Sequence, residues 1–431
     1  MKKPILLILV FFALITIHNC GHNHGEKDKS LINLSHLNHL YKEVILDSLP
    51  AAFIYIYADF PDYKPVEAAG EGIACVDDVA RAAIVYLRHF EISGDSSSLE
   101  RGRKLLQFLL DMQAENGMFY NFILADHSIN KTRENSQAKA EWWTWRSLWA
   151  FAEGMKTYKT VDPGFSAMIQ VSIDRILPAV DSLLENYPRK TLLEDFESPS
   201  WLPQKGGADQ ASILLLALNS LPASAGKNGL DEKIRRLADG LIMLQLADST
   251  TFPYGLFRSW PDRWHAWGNS QAHALLLSSN YLSEIRFREK ALMEIQFFYP
   301  FVMKKGFLSG ISFVNRNDVP DTSYSSKFPQ IAYDIRPMVL ASLAAYDITG
   351  DEWFAHQAGE IACWLFGNNP AGARMYDPST GRCFDGINNE NYVNKNSGAE
   401  STIEALLTII EVEKNPIAKQ ILYKYYQERT D

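Results

Sequence analysis

Six stretches of this chain repeat one plan at nearly constant spacing. Anchored on Asp78, Trp143, Asp209, Gln271, Asp334 and Glu400, they are separated by 65, 66, 62, 63 and 66 residues. Each is a short polar or aromatic cluster that runs into a helix-like segment rich in small residues and leucine: VARAAIVYL, TWRSLWAFAEG, QASILLLAL, AHALLLSS, RPMVLASLAAY and STIEALLTII. A period this regular constrains the fold more than any composition does. It is longer than that of ordinary solenoid repeats, and each unit holds two helices. Six helix pairs fit one closed ring, an all-α (α/α)6 toroid, with the six clusters at one end of it.

The second set of helical patterns falls at about 35–48, 98–114, 166–185, 229–247, 282–299 and 352–366, and a last helix at about 413–427 closes the chain. LERGRKLLQFLLDMQ and DEKIRRLADGLIMLQL have apolar residues at helical spacing and charges on the opposite face, which suits the outer wall of a ring. The anchored segments carry fewer charges and more small residues, which suits its centre. Links from an anchored helix to the next outer one are short, as in ISGDSS and DITGD. Links back are long: about 27 residues separate Gln113 from Glu141, and more than 30 separate Phe366 from Gly398. Long irregular connections are usually functional, and all of these reach the ring at the N-terminal ends of the inner helices. One face is therefore plain and the other carries the chemistry.

The even repeat argues for one large domain over residues 35–431, although the length alone allows two or three. The N-terminus, MKKPILLILVFFALITIHNCG, pairs two lysines with an apolar run too short to span a bilayer, as an export signal does. It resembles a bacterial lipoprotein signal, which implies cleavage and lipidation at Cys20. The domain plan is then a signal over 1–20, a hydrophilic tether over 21–34 and the toroid. The protein is expected to be exported to the cell envelope as a lipoprotein, held at the membrane only by that lipid, or secreted if Cys20 stays unmodified. Formal net charge is −9, which disfavours non-specific nucleic-acid binding, since that needs a basic footprint. Cys75 and Cys383 both precede ring clusters, so a disulfide between them is one option in an exported protein. Cys363 reads as a small buried hydrophobe.

Three clusters carry candidate chemistry. GEGIACVDDVARAA holds Glu71, Asp77 and Asp78. One Asp of the pair is expected to cap the helix, where its charge meets the positive end of the dipole; the other points into the cleft. Arg81 is placed to hold a carboxylate. NSGAESTIEALL puts Glu400 at the start of the sixth inner helix, which in a closed ring neighbours the first. Carboxyls on adjacent inner helices fit an inverting glycosidase, whose acid and base stand roughly 6.5–9.5 Å apart. The third cluster, WHAWGNSQAHA, supplies His265, Asn269 and Gln271. Asp209 reads as a helix cap beside the cleft. Tyr333, Asp334 and Arg336 stand together in AYDIRPM. The loop MYDPSTGRCFDGINNEN, with Asp377, Asp385 and Glu390, offers oxygen ligands for a structural calcium, without EF-hand spacing; no other cofactor is expected. Most tryptophans, among them Trp142, Trp143, Trp145, Trp264 and Trp267, lie in the long loops or the first turn after them. Rings placed there suit the apolar C–H face of a sugar.

In these segments the chain resembles the six-hairpin glycosidase superfamily of (α/α)6 enzymes. The early Asp77–Asp78 pair, the late Glu400 and the Gly367–Pro370 run within WLFGNNPAGARMYDP resemble family-nine glycoside hydrolases. That resemblance implies an early Asp as base and the late Glu as acid. GIACVDDVARA and NSGAESTIEALL are similar to bacterial toroid domains, some of which accompany glycosyltransferases.

The expectation is a monomeric, carbohydrate-active toroid acting on an oligo- or polysaccharide. As an inverting hydrolase it would use Asp78 or Asp77 to activate water and Glu400 to protonate the leaving group. Trp143, Trp145, Trp264 and Trp267 would stack sugars, and Asp209, Asn269, Gln271, Tyr333, Asp334 and Arg336 would bind substrate. Two rivals remain. A polysaccharide lyase would take a proton with Tyr333 or His265, stabilise the anion with Arg336 and Asn269, and need a basic cleft. A glycan-binding protein would keep the aromatic cleft and need no carboxyl pair.

Overall fold

The computed structural model describes residues 29–46, 49–222, 229–316 and 319–429. The export signal, Cys20 and the tether up to residue 28 lie outside the described residues. The compact body spans Ile32–Asp431. It begins slightly before the expected boundary, because Asn33 is tied down: its backbone N–H donates to the Tyr376 hydroxyl and its amide to the Pro378 carbonyl.

The helices run in chain order as α1 (Ser35–Leu40), α2 (Val76–Ser93), α3 (Ser96–Asp111), α4 (Trp142–Val161), α5 (Pro163–Leu184), α6 (Ala208–Ser220), α7 (Leu230–Met243), α8 (Gln271–Leu282), α9 (Ile285–Met293), α10 (Tyr299–Lys304), α11 (Ala332–Thr349), α12 (Glu352–Ala362), α13 (Ala399–Lys414) and α14 (Pro416–Glu428). Helices α2, α4, α6, α8, α11 and α13 pack each on the next, and α13 packs back on α2, closing the inner ring. All six anchors lie in the first turns of these helices. The inner helices are buried nearly all round: α2 is covered from Val79 to Leu87 and α11 from Ala332 to Ala345. Small residues such as Ala80, Ala82 and Ala83 let them crowd the centre. The outer layer is α3, α5, α7, α9 with α10, α12 and α14, each packed on the inner helix before it or continuous with one that is.

The short links follow one device. Gly94 and Gly350 end α2 and α11 at φ +70° and +71°, in left-handed conformations that cost a glycine little. The next residue, Asp95 or Asp351, caps the following outer helix through its carboxylate.

Two sequence expectations change. The pattern at 35–48 is not an outer helix: only Ser35–Leu40 is helical, and Tyr41–Leu46 pairs antiparallel with Leu49–Ile54. Pro50 and the fully covered run Ala51–Ile54 favour a strand docked on the body over a continued helix. The ring is completed instead by α14, which is the sixth outer helix and not a closing appendage. The long links are also built, not structureless. They carry short hairpins, such as Lys190–Leu193 with Phe196–Pro199, and a three-stranded sheet in which Arg263–His265 and Val319–Ser326 flank Gly310–Arg316. Among the described residues no helix is long and apolar enough to cross a membrane.

Candidate active site

A pocket of about 330 Å³ opens at the N-terminal ends of the inner helices, where α2, α11 and α13 meet. Glu71, Asp77, Asp78, Asp385 and Glu400 line it, together with Arg81, Asn121 and Tyr333. Arg81, one turn inside α2, is the hub. Its Nη2 lies 2.6 Å from Asp78 Oδ1 and 3.2 Å from Glu400 Oε2, and its Nη1 lies 2.7 Å from Glu404 Oε1. The same Nη2 is 3.8 Å from Asp77 Oδ2. Sharing one nitrogen holds Asp77 Oδ2 and Glu400 Oε2 no more than about 7 Å apart, which reaches the roughly 6.5–9.5 Å spacing of an inverting pair only at its outer limit. The toroid therefore brings together the residues the sequence singled out, 322 positions apart in the chain.

The two aspartates differ. Neither caps α2; the helix is capped by Cys75, whose sulfur accepts the Asp78 N–H. The Cys75 thiol in turn donates to Asp78 Oδ2 at 3.2 Å. With Oδ1 on Arg81, Asp78 has both oxygens engaged and is 4 % exposed. Burial pushes its carboxyl up to about 6, against the pull of Arg81. Asp77 is freer. Arg146 holds its Oδ2, while Oδ1 has no hydrogen-bond partner among the described residues. Glu400 is the most open of the three, its side chain 45 % exposed with only Oε2 on Arg81. Glu400 thus turns an open oxygen to the pocket, Asp77 keeps a covered Oδ1 without a hydrogen-bond partner among the described residues, and Asp78 holds Arg81.

Glu404 lies one helical turn deeper than Glu400 and shares its charge between Arg81 and the Nε–H of Arg336. Burial disfavours its ionised form, yet the two guanidiniums hold it below the usual carboxylate range. The start of α13 is set by Asp385, whose Oδ1 accepts the Gly398 N–H at 2.8 Å and the Ser401 hydroxyl at 2.7 Å.

An aromatic rim stands beside the carboxylates. Arg146 Nη2 donates to the Tyr333 hydroxyl at 2.7 Å, and its guanidinium lies 4.9 Å from the Trp142 ring centre. Trp142 meets Trp267 at 5.7 Å, and Trp267 stacks on His265 at 3.7 Å. Trp267 is 39 % exposed, enough to offer a face. Asp209 accepts from His265 Nε2 at 3.0 Å, and His265 Nδ1 faces the Trp267 carbonyl at 2.7 Å. Both ring nitrogens thereby face acceptors that fix the ring in the rim.

Several expected ligand-binding residues are not in the pocket. Trp145 is fully buried and donates to Gln210, and Trp264 is buried against Phe298. Trp143 is 8 % exposed, and its indole N–H goes to the Phe119 carbonyl. None of the three lines the carboxylate pocket: Trp143 and Trp145, in the first turns of α4, turn into the ring wall, and Trp264 sits in the strand Arg263–His265. Asn269, Gln271 and Arg336 are buried in the same layer. Asp334 caps its own helix by accepting the Ile331 N–H, and burial pushes its carboxyl well up. In the loop read for calcium, Asp377 accepts from Ser379 and Thr380 and Asp385 from the start of α13. The Cys75–Cys383 disulfide is not formed; Cys75, Cys363 and Cys383 are free and buried.

Sequence reasoning missed Arg146, Asn121, Asp385 as a positioning group, and Glu404. Glu404 had a signal, since a spacing of four from Glu400 puts both on one helix face.

No protein-family model matches the chain, and no curated protein matches it in sequence. Solved structures do superpose. A sugar epimerase from a ruminal bacterium does so at a TM-score of 0.57 and 11% identity, over 84% of this chain and 92% of that one. Cellobiose 2-epimerase from Bacillus thermoamylovorans B4167 does so at 0.57 and 12%, over 83% and 92%. A family-nine endoglucanase, J30, follows at 0.49 and 14%, over 83% and 73%, a level that carries no argument about chemistry. At such identities the likeness establishes architecture alone: the chain has an (α/α)6 toroid fold.

Proposed function

We propose that this protein is a carbohydrate-active enzyme that hydrolyses glycosidic bonds in the Asp77–Glu400 pocket. The observation that carries this reading is the pair itself. Asp77 and Glu400 reach the same Arg81 nitrogen from adjacent inner helices at the pocket, Glu400 with an open oxygen, beside the exposed ring of Trp267. Asp77 activates water and Glu400 protonates the leaving oxygen; Asp78, Arg146 and Glu404 position them. We further propose export and lipid anchoring at Cys20, and action as a monomer on an oligo- or polysaccharide.

A lyase is disfavoured. The pocket is acidic, burial raises the Tyr333 phenol and so opposes a phenolate base, and Arg336 and Asn269 lie buried outside the pocket. Epimerisation of a sugar is the second reading, favoured by the better superposition on sugar epimerases. A pair of carboxyls flanking one carbon suits that chemistry as well.

The test is a glycan panel with the soluble chain from about Ser30, reading reducing ends, absorbance near 235 nm and sugar configuration. Asp77→Asn and Glu400→Gln are each expected to cut reducing-end release by about 10²-fold or more with folding unchanged. Intact glycan with inverted configuration at one carbon would replace hydrolysis by epimerisation. Undiminished release in both variants would remove the pocket from the reaction.

A further inference from the structure

Beyond the carboxylate pocket lie two further hollows, and the charge of their linings is opposite to that of the pocket. Glu71, on the pocket wall, accepts from the Asn135 amide at 2.7 Å. Asn135 also lines a neighbouring hollow of about 620 Å³ with Arg133, Lys139, Glu141 and Trp143. One side-chain pair therefore separates the two. That hollow shares Lys139 and Glu141 with a third, of about 810 Å³, which continues to Arg175 and Lys205. The third is walled by one face of α5, where Arg175, Pro178, Ala179, Ser182 and Leu183 recur at helical spacing. The long link from α3 to α4 forms the opposite side.

Five carboxylates face one guanidinium in the pocket. Along the extension, Arg133, Lys139, Arg175 and Lys205 face only Glu134 and Glu141. Glu141 is itself occupied by the amides of Gln204 and Gln210. All four cations are exposed, and none of them forms an ion pair within 4 Å with a carboxylate among the described residues. Arg175 is aimed by neutral partners, the Gln113 amide oxygen and the Ala114 carbonyl. Ion pairs are abundant elsewhere on the surface, as at Lys190–Glu197 and Arg235–Glu284. In a chain of net charge −9, a cationic groove leading from an acidic pocket selects its ligand locally against the field of the whole protein.

We infer that the groove holds a glycan chain bearing anionic substituents, with an uncharged unit at the carboxylate pocket and carboxylate or sulfate groups lying along Arg133, Lys139, Arg175 and Lys205. This rests on the reading of the pocket as a glycan site, and it adds that the ligand is polymeric and acidic at a distance from the reacting bond. An acidic group in the pocket itself would meet like charge.

The test is binding, measured by calorimetry on the Asp77→Asn protein so that nothing is consumed. Two matched pairs serve as probes: hexagalacturonate with its methyl ester, and dextran sulfate with dextran. At low salt, at least one anionic member is expected to bind about tenfold or more tighter than its uncharged partner, with the advantage falling as salt rises. Combining Lys139→Gln, Arg175→Gln and Lys205→Gln is expected to abolish that advantage. The same charge change at Lys42, Lys159 and Lys304, exposed lysines outside these hollows, is expected to leave it intact. The uronate and sulfate pairs tell the two anion sources apart. Equal affinity within both pairs, or an advantage that survives the groove substitutions, overturns the inference. Charge-dependent binding here combined with undiminished turnover in Asp77→Asn would instead overturn the catalytic reading and leave the groove standing.

Discussion

Arg81 shows how one buried side chain organises a site. It contacts Asp78, Glu400 and Glu404 within hydrogen-bond range, and its own side chain is 2 % exposed. A guanidinium so placed offsets carboxylates that otherwise could not stay ionised together; removing one member of a buried ionic cluster typically costs about 3–5 kcal/mol. A second buried acid lacks such a partner. Glu294 is fully covered, accepts the Phe257 N–H at 2.7 Å, and is pushed by burial up to about 8. Between the ordinary carboxylate value and that one, the folded protein keeps a proton that the unfolded chain releases. Stability from this group is therefore complete below about pH 4.5 and is lost as pH rises towards about 8, by an amount on the order of a few kcal/mol. Melting curves from pH 5 to 9 should show a fall in Tm for the wild type and a smaller fall for Glu294→Gln, which keeps the acceptor for Phe257. Parallel falls would mean that Glu294 does not set the slope.

At the scale of elements, the site depends on where the inner helices begin. The start of α2 is fixed by a short pairing of Ala74–Cys75 with Phe122–Ile123, which brings the long link from α3 to α4 against the pocket. Gly72 makes this approach possible. Its φ is +144°, and a Cβ there would stand 1.9 Å from the Ile123 carbonyl oxygen. Gly72→Ala is expected to push the strip away, shift Cys75 and the aspartates behind it, and lower both Tm and turnover. Unchanged Tm and activity would show that the strip does not position α2. The repeated plan made the helix starts legible from sequence, because a polar cluster before an apolar run marks an N-terminus in any chain. The strip Ala74–Cys75 was not legible, since its partner Phe122–Ile123 lies tens of residues away and each strand is two residues long.

At the scale of the molecule, closure is the governing property. An open helical repeat can unravel from its ends, because each unit touches only its neighbours. Here α13 returns to α2, and the ring is braced at its other mouth, where Arg88 bridges Glu153 on α4 and Glu411 on α13. The face expected to be plain thus has a charged hollow of its own, of about 300 Å³. With no free end in the inner layer, tryptophan fluorescence and far-ultraviolet circular dichroism should report one coincident unfolding transition. Separated midpoints would mean that hairpins open independently despite the closed ring.

Sequence by itself determined the ring and the helix starts that bear Asp77, Asp78 and Glu400, because periodicity and helix-start chemistry are local properties of the chain. It did not determine which aspartate Arg81 holds, that Trp145 is buried in the ring wall, or that Arg146 and Asp385 stand beside the pocket. Those depend on which side of a crowded inner helix meets a neighbour and which meets the cavity. Closing the ring decides that, since it brings residues hundreds of positions apart onto the same few ångströms of guanidinium.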